Sequence, residues 1–495
     1  MKMNPLTAID FYKTDHRRQY PDGTTEVYSN FTPRSAFHAR VLDKDNVRIV
    51  FFGLQYCIKH FLIESWNEHF FQRDKAEVLS HYKRRMDTSL GPDAVDVDHI
   101  EALHDLGYLP IKIKALEEGT LVPTGVPVLT VVNTHPDFFW LTNYLETIIS
   151  CYLWKPMTSA TTAFEYKKLL TQYAINTGSP LDMVNFQGHD FSFRGMSGLQ
   201  DCAISGAAHL TSFTGTDSVP AIDLLEDYYN IDAETDLIGA SVPATEHSVM
   251  CMGMQDGELA TFRRLINDIY PAGIVSIVSD TWDFWQVITE YTVKLKDEIM
   301  QRDGKVVIRP DSGDPVNIIC GDSDAPQDSP EYKGAIECLW DVFGGIETDK
   351  GYKLLDSHIG LIYGDSITLE RAEQIVKRLA EKGFASGNVV LGIGSFTYQY
   401  ATRDNFGFAM KATSGVVNGE RRDIFKDPKT DSGIKKSAKG LLRVEREGDT
   451  LVLHDQQTEA QESQGLLNTV YEDGKLIRNV SLADIRERIS QQLTI

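Results

Sequence analysis

The chain has 495 residues, a formal net charge of -22, 42% hydrophobic residues and 10% aromatic residues. This composition is typical of a globular enzyme with two or three domains, or with one barrel and a large elaboration. The strong negative charge argues against nonspecific binding to nucleic acid or to an anionic membrane surface, so neither partner is expected.

The cysteines and the N-terminus both favour the cytoplasm. The six cysteines form no C-x-x-C pair and have no histidine partner at metal-ligand spacing, so they are expected to be reduced thiols. The first ten residues, M-K-M-N-P-L-T-A-I-D, contain no apolar segment of a secretory signal. We therefore predict a cytoplasmic protein.

Residues 1–150 lack a regular alternation of strands and helices. The stretch from Tyr12 to Tyr20 mixes aromatic rings with cations, and Pro21-Asp22-Gly23 then turns the chain into an alternating strand. The sequence predicts one or two amphipathic helices at 75–106, antiparallel strands at 111–133 and an apolar helix at 138–154.

Residues 151–399 predict a parallel array of strands and helices. Apolar stretches break into polar clusters about every 30 residues, which is the length of one strand–helix unit. One longer step contains an additional helical stretch at 334–343. The strand ends fall at Asp190, Asp217, His247, Asp280, Asp311, Asp365 and Gly394. In a closed barrel these ends meet at one mouth, whereas an open doubly wound sheet, which also fits the spacing, spreads them along a line.

After residue 400 the regular alternation ends. Short strands and a final helix are predicted, and the segment 403–443 carries ten Lys and Arg side chains against five acidic ones. The predicted fold class is α/β: an irregular β/α barrel at 151–399, beside a second α+β domain. That second domain is discontinuous and is formed by residues 1–150 and 400–495.

The decapeptide Val306–Pro315, V-V-I-R-P-D-S-G-D-P, ends an apolar strand in charged residues. Pro310 restricts Arg309 to an extended conformation and Gly313 permits a sharp turn, so the charged groups sit on a stiff support. Taken alone, this stretch fits a surface ion pair at a strand end as well as a binding site. The recurrence of the pattern favours the binding site.

Several catalytic motifs are absent. There is no H-E-x-x-H, no P-loop and no G-x-S-x-G, and Gly392-Ile393-Gly394 is not completed to G-x-G-x-x-G because position 397 is threonine. The strand ends instead supply carboxylates, two arginines and a glycine-containing turn that can hold a phosphate. Such a set suits ribosyl transfer through an oxocarbenium-like state, with no covalent nucleophile. His247, flanked by Glu246 and Ser248, is a further candidate for titration or reaction.

Eight motifs occur in order along the chain: Y-K-T-D-H-R-R-Q-Y-P at 12, H-D-F-S-F-R-G at 189, G-T-D at 215, S-V-P-A-T-E-H-S at 241, V-S-I-V-S-D at 275, I-R-P-D-S-G at 308, G-D-S at 364 and F-K-D-P at 425. With them the chain resembles the nicotinamide phosphoribosyltransferase family over essentially its full length. The resemblance implies a homodimer that converts nicotinamide and 5-phosphoribosyl 1-pyrophosphate to nicotinamide mononucleotide and pyrophosphate, with Mg²⁺, in NAD salvage.

The resemblance also implies roles for individual residues at the nicotinamide end. Phe191 and Tyr12 stack on the two faces of the pyridine ring, with Tyr12 coming from the second subunit. Asp217 accepts a hydrogen bond from the carboxamide, with Ser276 and Arg309 near the amide and ring. A carboxylate at position 217 repels nicotinate and thereby selects the amide.

The remaining roles implied by the resemblance concern the sugar, its anions and ATP. The ribose is held by Asp311, Gly364 and Asp365, and the 5'-phosphate by Arg194, Gly392, Gly394 and Ser395. Pyrophosphate is bound by Arg34, Arg403, Lys411, Lys426 and Lys435. ATP phosphorylates His247, which Glu246 and Asp280 support, and the expected catalytic set is His247, Asp311, Asp280, Arg309 and Glu246. No metal ligand is expected from the protein itself, because Mg²⁺ arrives on the substrate pyrophosphate.

Two features depart from the family pattern. The phosphate turn reads G-I-G-S-F where relatives carry G-S-G-G, and the linker between Lys426 and Lys435 differs in length. Three alternatives remain open at this point. These are a nicotinate phosphoribosyltransferase, a non-catalytic phosphosugar-binding barrel and a metal-dependent barrel hydrolase.

Overall fold

The computed structural model describes residues 4–364, 366–426 and 438–493. Parallel strands in the middle of the chain form one six-stranded sheet. Its strands are β1 Gly188–Asp190, β2 Gly215–Thr216, β3 Ala272–Val278, β4 Asp303–Arg309, β5 Ile359–Tyr363 and β6 Val389–Ile393. Their spatial order in the sheet is β2-β1-β6-β5-β4-β3.

A short irregular segment, residues 240–245, joins the two edges of this sheet, β2 and β3. On one side the Thr216 amide donates to the Ala240 carbonyl at 3.0 Å, and on the other the Thr245 amide donates to the Ser276 carbonyl at 3.0 Å. Pro243 lies within the segment and lacks an amide donor, which limits the ladder to isolated parallel bridges. The array is therefore a closed, irregular barrel as predicted, and the open-sheet alternative is wrong.

Helices surround the barrel and bury one face against it. In the helix Leu369–Glu381 the Thr368 side chain caps the first turn, and the apolar positions 369, 372, 375, 376 and 379 are buried. The other longer helices of this region are Glu146–Thr177, Leu199–His209, Val219–Tyr228, Glu258–Arg264 (continued by Leu265–Ile269) and Ala335–Phe343.

The short helical segments of the barrel region are Val184–Gln187, Phe193–Gly195, His247–Met252, Gln255–Gly257, Phe284–Gln286, Val287–Tyr291, Thr292–Lys294, Lys296–Met300, Pro315–Cys320, Pro330–Lys333, Ser386–Asn388 and Ser395–Tyr398. The short helical segment Arg403–Asn405 follows the barrel region. The long step between β4 and β5 contains the predicted additional helix and also a hairpin, Gly345–Glu347 with Lys353–Leu355.

The two ends of the chain share one antiparallel sheet. In spatial order its seven strands are Glu420–Asp423, Ala409–Val417, Thr24–Thr32, Leu129–Asn133, Ile111–Ala115, Asn468–Glu472 and Lys475–Leu476. Two smaller pairs are Leu441–Glu447 with Thr450–Gln457 and Ile49–Val50 with Leu121–Val122. This shared sheet supports a discontinuous domain formed by residues 1–150 and 400–495, which we retain as a proposal.

The helices of this end region are Pro5–Thr7, Phe11–Asp15, His16–Gln19, Leu54–Tyr56, Cys57–Ser65, Asn67–Phe71, Lys75–Leu90, Asp98–Leu106, Pro136–Phe138, Leu141–Tyr144, Glu459–Glu462 and Leu482–Gln491. None of the helices in the described ranges combines the length and apolar character needed to cross a bilayer.

The helix predicted to end at Trp154 instead runs from Glu146 to Thr177, through the proposed domain boundary. Pro156 removes one helical amide donor, which is why the sequence predicts a stop there. Residue 53 leaves space for the Pro156 ring because it is a glycine. A Cβ on Gly53 would lie 2.5 Å from the Pro156 Cγ atom. Burial along both halves of the helix then outweighs the lost hydrogen bond.

Candidate active site

A cavity of about 660 Å³ opens at the carboxyl ends of the barrel strands, and we refer to it as the mouth cavity. It is lined by Phe191, Phe193, Arg194, Gly195, Asp217, Ser218, Ala244, Thr245, Glu246, Arg309, Asp311, Gly364, Gly394 and Ser395. Residues from the ends of five strands and from the irregular segment thus meet at one place, as expected for a closed barrel. Most of the residues predicted for nicotinamide, ribose and 5'-phosphate binding are among them.

Asp217 follows β2 and is held by two side chains that the sequence did not assign a role. His189 Nε2 lies 2.9 Å from Asp217 Oδ1, and the Ser241 hydroxyl donates to the same oxygen at 2.6 Å. Burial by itself raises the pKa of Asp217, but these hydrogen bonds and the nearby charge of Arg309 outweigh it and leave the pKa below its ordinary value. The carboxylate is therefore ionised at neutral pH.

Phe191 follows β1 and lies beside this carboxylate. Its ring centroid is 4.6 Å from that of His189, and its amide donates to the Ile393 carbonyl at 3.0 Å. Gly392 permits this placement, because a Cβ there would lie 2.7 Å from the Phe191 ring. The mouth cavity thus has one fixed aromatic wall.

Asp280 organises the turn after β4. Its Oδ2 oxygen accepts hydrogen bonds from the amides of Asp311 and Ser312, at 2.9 and 2.8 Å, and from the Ser312 hydroxyl at 2.6 Å. The Asp280 side chain is only 4% exposed, so these bonds form in a water-poor setting. Gly364 closes on the same turn, since a Cβ there would lie 2.0 Å from Asp311 Oδ1.

Arg309 crosses from β4 to the irregular segment. Its guanidinium donates to the Thr245 carbonyl, and Nε lies 4.0 Å from Asp311 Oδ1. The side chain is 12% exposed, so its charge is fixed and largely desolvated. Ser276 is on the neighbouring strand and buried, and its hydroxyl has no hydrogen-bond partner within the described ranges.

His247 begins a short helix at the rim of the cavity and faces two carboxylates. Its Nε2 atom lies 3.8 Å from Asp280 Oδ1 and 3.9 Å from Asp311 Oδ2, while Nδ1 lies 3.2 Å from the Thr281 hydroxyl. The ring is about half exposed. Glu246 lines the cavity but its carboxylate accepts from the Ser248 hydroxyl, so Asp280 and Asp311 are the acids beside the ring.

The predicted phosphate turn borders the cavity between β6 and the helix Ser395–Tyr398. A Cβ on Gly195 would lie 2.0 Å from the Ser395 hydroxyl, so the loop carrying Arg194 packs directly on this turn. The first amides of a helix lack intrahelical partners and point toward its N-terminus. Arg194 and these amides together can receive a phosphate group.

His209 links the helix Ser395–Tyr398 with β2, the strand that precedes Asp217. Its Nε2 atom lies 3.0 Å from the Gly215 carbonyl, which can only accept, so Nε2 carries the proton. Nδ1 then accepts from the Tyr398 hydroxyl at 2.6 Å. Burial lowers the pKa of His209 to about 4, which keeps the ring neutral. Sequence patterns gave no signal for this buried link.

The remaining predicted residues lie elsewhere. Tyr12, Lys411 and Lys426 line a separate cavity of about 530 Å³, which we call the second pocket. Its other lining residues are Lys13, His16, Gln19, Tyr20, Asn143, Glu146, Met410, Ala412, Ile424 and Phe425. Within the described residues, the second pocket and the mouth cavity share no lining residue.

Cations surround the second pocket. Burial lowers the pKa of Lys411, Glu146 raises it, and the charges of Lys426, Arg34 and Lys13 lower it further. Arg34 Nε donates to the Gly407 carbonyl at 2.8 Å, and Arg403 lies on the adjoining turn. Lys13 is buried and pairs with Glu146, a contact that the sequence reasoning missed although Lys13 belongs to the motif at 12. Asp365 and Lys435 lie outside the described residues.

Comparisons with known proteins agree with this architecture. Residues 186–475 match the nicotinate phosphoribosyltransferase (NAPRTase) family, and residues 4–113 match the nicotinamide phosphoribosyltransferase N-terminal domain. A nicotinamide phosphoribosyltransferase of Acinetobacter baylyi is 64% identical, covering 99% of this chain and 98% of that protein. One of Xanthomonas campestris pv. campestris is 33% identical, covering 98% and 97%.

Two solved structures share the fold at low sequence identity. The nicotinate-nucleotide pyrophosphorylase from Pyrococcus furiosus has a TM-score of 0.58 at 13% identity, covering 99% of this chain and 95% of that one. Human nicotinic acid phosphoribosyltransferase has a TM-score of 0.55 at 16% identity, covering 98% and 93%.

The fold, the strand-end site and the family match define a phosphoribosyltransferase enzyme. Within that class, the chain belongs to the nicotinate phosphoribosyltransferase family, and its relatives at 64% and 33% identity carry the name nicotinamide phosphoribosyltransferase.

Proposed function

We propose that this enzyme transfers the phosphoribosyl group of 5-phosphoribosyl 1-pyrophosphate to nicotinamide, giving nicotinamide mononucleotide and pyrophosphate in NAD salvage. One observation carries the proposal: Asp217, Arg309 and the Gly394-Ser395 turn border a single cavity. That cavity offers, side by side, a carboxylate acceptor, a desolvated cation and a phosphate turn. The names of the full-length relatives support the same substrates.

Nicotinamide binds between Phe191 and Asp217 in this proposal. His189 and Ser241 both contact Oδ1 of Asp217, so Oδ2 is left to accept from the carboxamide NH₂. The ring stacks on Phe191, a contact that contributes about 1 kcal/mol beyond burial. Nicotinate has a carboxylate in place of the amide, and two ionised carboxylates at hydrogen-bond distance repel each other.

The phosphoribosyl group lies across the mouth cavity. Asp311 and Gly364 border its ribose, together with Asp365, while Arg194 and the Gly392–Ser395 turn receive the 5'-phosphate. In the transfer, the pyridine nitrogen forms a bond to the ribose C1 atom as the bond from C1 to the pyrophosphate oxygen breaks. Both electrons of the breaking bond leave with pyrophosphate. The carboxylates of Asp280 and Asp311 stabilise the positive charge that develops on the sugar.

The second pocket supplies the pyrophosphate end in a homodimer. Arg34, Arg403, Lys411 and Lys426, with Lys435, provide the cations. Tyr12 is 60% exposed and borders the second pocket with Lys411 and Lys426, whereas the aromatic residues that border the mouth cavity in the described ranges are Phe191 and Phe193. A two-fold dimer that brings the second pocket of one subunit to the mouth cavity of the other completes the site with Tyr12.

Mg²⁺ is proposed to enter on the pyrophosphate. The described residues contain no cluster of three or more His, Cys, Asp or Glu side chains suited to hold a metal ion, so the phosphate oxygens of the substrate would supply most ligands. Bound in this way, the ion neutralises charge on the leaving group. The residues of the chain then orient the sugar and the base.

ATP is proposed to phosphorylate His247. The ring is about half exposed, and Asp280 Oδ1, which faces its Nε2 atom at 3.8 Å, has no hydrogen-bond partner in the described part of the chain. A carboxylate in this place raises the nucleophilicity of the imidazole. Glu246 adds negative charge at the rim. Phosphorylation couples ATP hydrolysis to tighter substrate binding and a more favourable yield of product.

The paired assay of nicotinamide and nicotinate tests the main proposal. The wild type, with Mg²⁺ and the pyrophosphorylated sugar, is expected to use nicotinamide and hardly any nicotinate. In Asp217→Asn the kcat/KM for nicotinamide falls by about 10- to 100-fold, because a charged hydrogen bond is lost. Asp223→Asn, an exposed carboxylate on the next helix, is the control and leaves both rates unchanged. Equal wild-type rates with the two bases contradict the role of Asp217.

Labelling with γ-phosphate-labelled ATP tests the role of His247. The wild type is expected to retain an acid-labile phosphate, and His247→Ala none, while some transferase activity remains because ATP only assists the reaction. His135→Ala is the control. Like His247, His135 is partly exposed and lies near a carboxylate, with its Nδ1 atom 3.9 Å from Asp137 Oδ2. If His247→Ala is labelled as strongly as the control, the phosphohistidine proposal is wrong.

A further inference from the structure

A cavity of about 370 Å³ lies at the opposite end of the barrel from the mouth, and we call it the rear cavity. Asn185, Thr214 and Leu237, which border it, precede β1, β2 and the irregular segment, so the cavity is at the amino ends of these strands. Its other lining residues are Phe164, Lys167, Thr211, Ser212, Phe213, Arg486, Ile489, Ser490 and Leu493. Among described residues it shares none with the mouth cavity.

Two cations, Lys167 and Arg486, border the rear cavity, and none of its described lining residues is acidic. Burial and the nearby charge of Arg486 lower the pKa of Lys167 to about 8, and burial lowers that of Arg486 to about 10. Within the described ranges, no carboxylate lines the cavity and none contributes to either pKa shift. Two desolvated cations beside each other are unfavourable unless an anion is present. The chain as a whole has a net charge of -22, which makes such a pair of cations unusual in it.

Arg486 is a fixed charge. Its guanidinium donates to the carbonyls of Leu210 and Leu237, both at 2.8 Å, and to those of Ile238 at 2.5 Å and Phe213 at 3.4 Å. These bonds fasten the last described helix, Leu482–Gln491, to the barrel. The positive charge therefore stays at the cavity wall whether or not a ligand is bound.

Lys167 and Ser212 retain donors for a ligand. Lys167 Nζ donates to Asn185 Oδ1 and lies 5.3 Å from the Phe213 ring centroid, which leaves ammonium hydrogens without an acceptor in the described part of the chain. The Ser212 hydroxyl oxygen is buried and has no hydrogen-bond partner there either. An unsatisfied buried hydroxyl costs about 1–3 kcal/mol, which a bound acceptor would recover.

We propose that the rear cavity binds a small oxyanion attached to an apolar group, such as the phosphate monoester of an aromatic alcohol. The anion accepts from Lys167 and from the Ser212 hydroxyl and neutralises both cations. Phe164, Phe213 and Ile489 contact the apolar part. Orthophosphate can contact Lys167 and the Ser212 hydroxyl but has no apolar group to contact the phenylalanines and Ile489, so it binds more weakly.

Trace acetylation of lysines, followed by mass spectrometry of each peptide, tests the proposal on the full chain with phenyl phosphate as the probe. The neutral amine of Lys167 is the reactive form at about pH 8. Bound phenyl phosphate stabilises the charged form, and a rise of one unit in the pKa of Lys167 is expected to lower its acetylation rate at pH 8 by about fivefold. Lys168, the next residue on the same helix, does not line the cavity and keeps its rate.

Two further measurements keep the proposal falsifiable. Ser212→Ala raises the concentration of phenyl phosphate that half-protects Lys167 by several-fold, while its transferase activity shows that the variant is folded. Orthophosphate protects only at higher concentration. If phenyl phosphate leaves the acetylation of Lys167 unchanged while it inhibits the transferase, it binds at the mouth alone and the rear cavity is not a site. Equal protection by the two probes contradicts the apolar half.

Discussion

The mouth cavity and the second pocket hold their charged groups in different ways. At the mouth, Asp280 accepts from two backbone amides and Arg309 donates to a backbone carbonyl, so the charges are fixed by the ends of rigid strands. The second pocket combines the exposed ring of Tyr12 with Lys411 on a strand of the antiparallel sheet, and several like charges surround it. The first region is organised within one chain. In our proposal, the second is completed by an anion and by another subunit.

This difference explains what the sequence could predict. A strand that ends in a charge recurs at the mouth about every 30 residues, and closure of the barrel brings those ends together. No such repeat marks Tyr12, Lys411 or Lys426, and only the resemblance to a family assigned them. Experiments must therefore establish whether the mouth cavity and the second pocket belong to one active site.

Mixing two inactive variants is the strongest test, with the largest expected effect. Tyr12→Ala and Arg309→Gln each remove a group from every site of a homodimer, so each is expected to be nearly inactive. After the two are mixed and allowed to exchange subunits, half of the dimers are heterodimers with one intact site. Activity is then expected to return to about a quarter of the wild-type value.

The outcome that contradicts the shared site is equally clear. If Tyr12 and Arg309 act within the same chain, every subunit in the mixture carries a defect and no activity returns. Size-exclusion chromatography of the mixture at the assay concentration serves as the control, because it shows that dimers are present. Arg309→Gln alone, taken through the same exchange procedure, gives the background rate.

Within the mouth cavity, Arg309→Gln alone is expected to lower kcat by about 10²–10³-fold, the usual cost of losing one preorganised electrostatic group. Glutamine retains a donor for the Thr245 carbonyl but carries no charge, so the fold of the irregular segment is preserved. Steady-state kinetics measure the effect, and unchanged thermal unfolding is the control. A loss of less than tenfold would show that the guanidinium charge is not used in transfer.

The sequence predicted the barrel more completely than it predicted the site. Apolar strands and their spacing predicted the parallel array, although the spacing also fitted an open sheet. The strand predicted before His247 is an irregular segment around Pro243, and Pro156 concealed the full length of the helix Glu146–Thr177. Side chains that support others were missed in a similar way. Ser241 and His209 act through contacts with residues far away in sequence, and a single chain without structure carries no signal for such pairs.

Gly364→Ala tests the close approach of two strand ends in the mouth cavity. The added Cβ would meet Asp311 Oδ1 at 2.0 Å, so the carboxylate must move away from the proposed ribose position. We expect the KM for the pyrophosphorylated sugar to rise by about tenfold, since a displaced hydrogen bond to a charged group costs about 1.5 kcal/mol or more. Gly257→Ala is the control, because a Cβ there meets nothing within 4 Å. An unchanged KM would place the ribose elsewhere.

The smallest expected effect concerns the charge of the second pocket. Burial and the neighbouring cations keep the pKa of Lys411 below 10.5, so this side chain loses its proton at a lower pH than an exposed lysine does. The KM for the pyrophosphorylated sugar is therefore expected to rise, about two- to fivefold, as the pH increases through that lowered pKa. In Lys411→Arg the rise disappears, because a guanidinium stays protonated above pH 12. Lys44→Arg is the control: Lys44 is exposed and lies outside both cavities, so this variant keeps the wild-type dependence of KM on pH. If KM rises in Lys411→Arg at alkaline pH as it does in the wild type, another group binds the pyrophosphate.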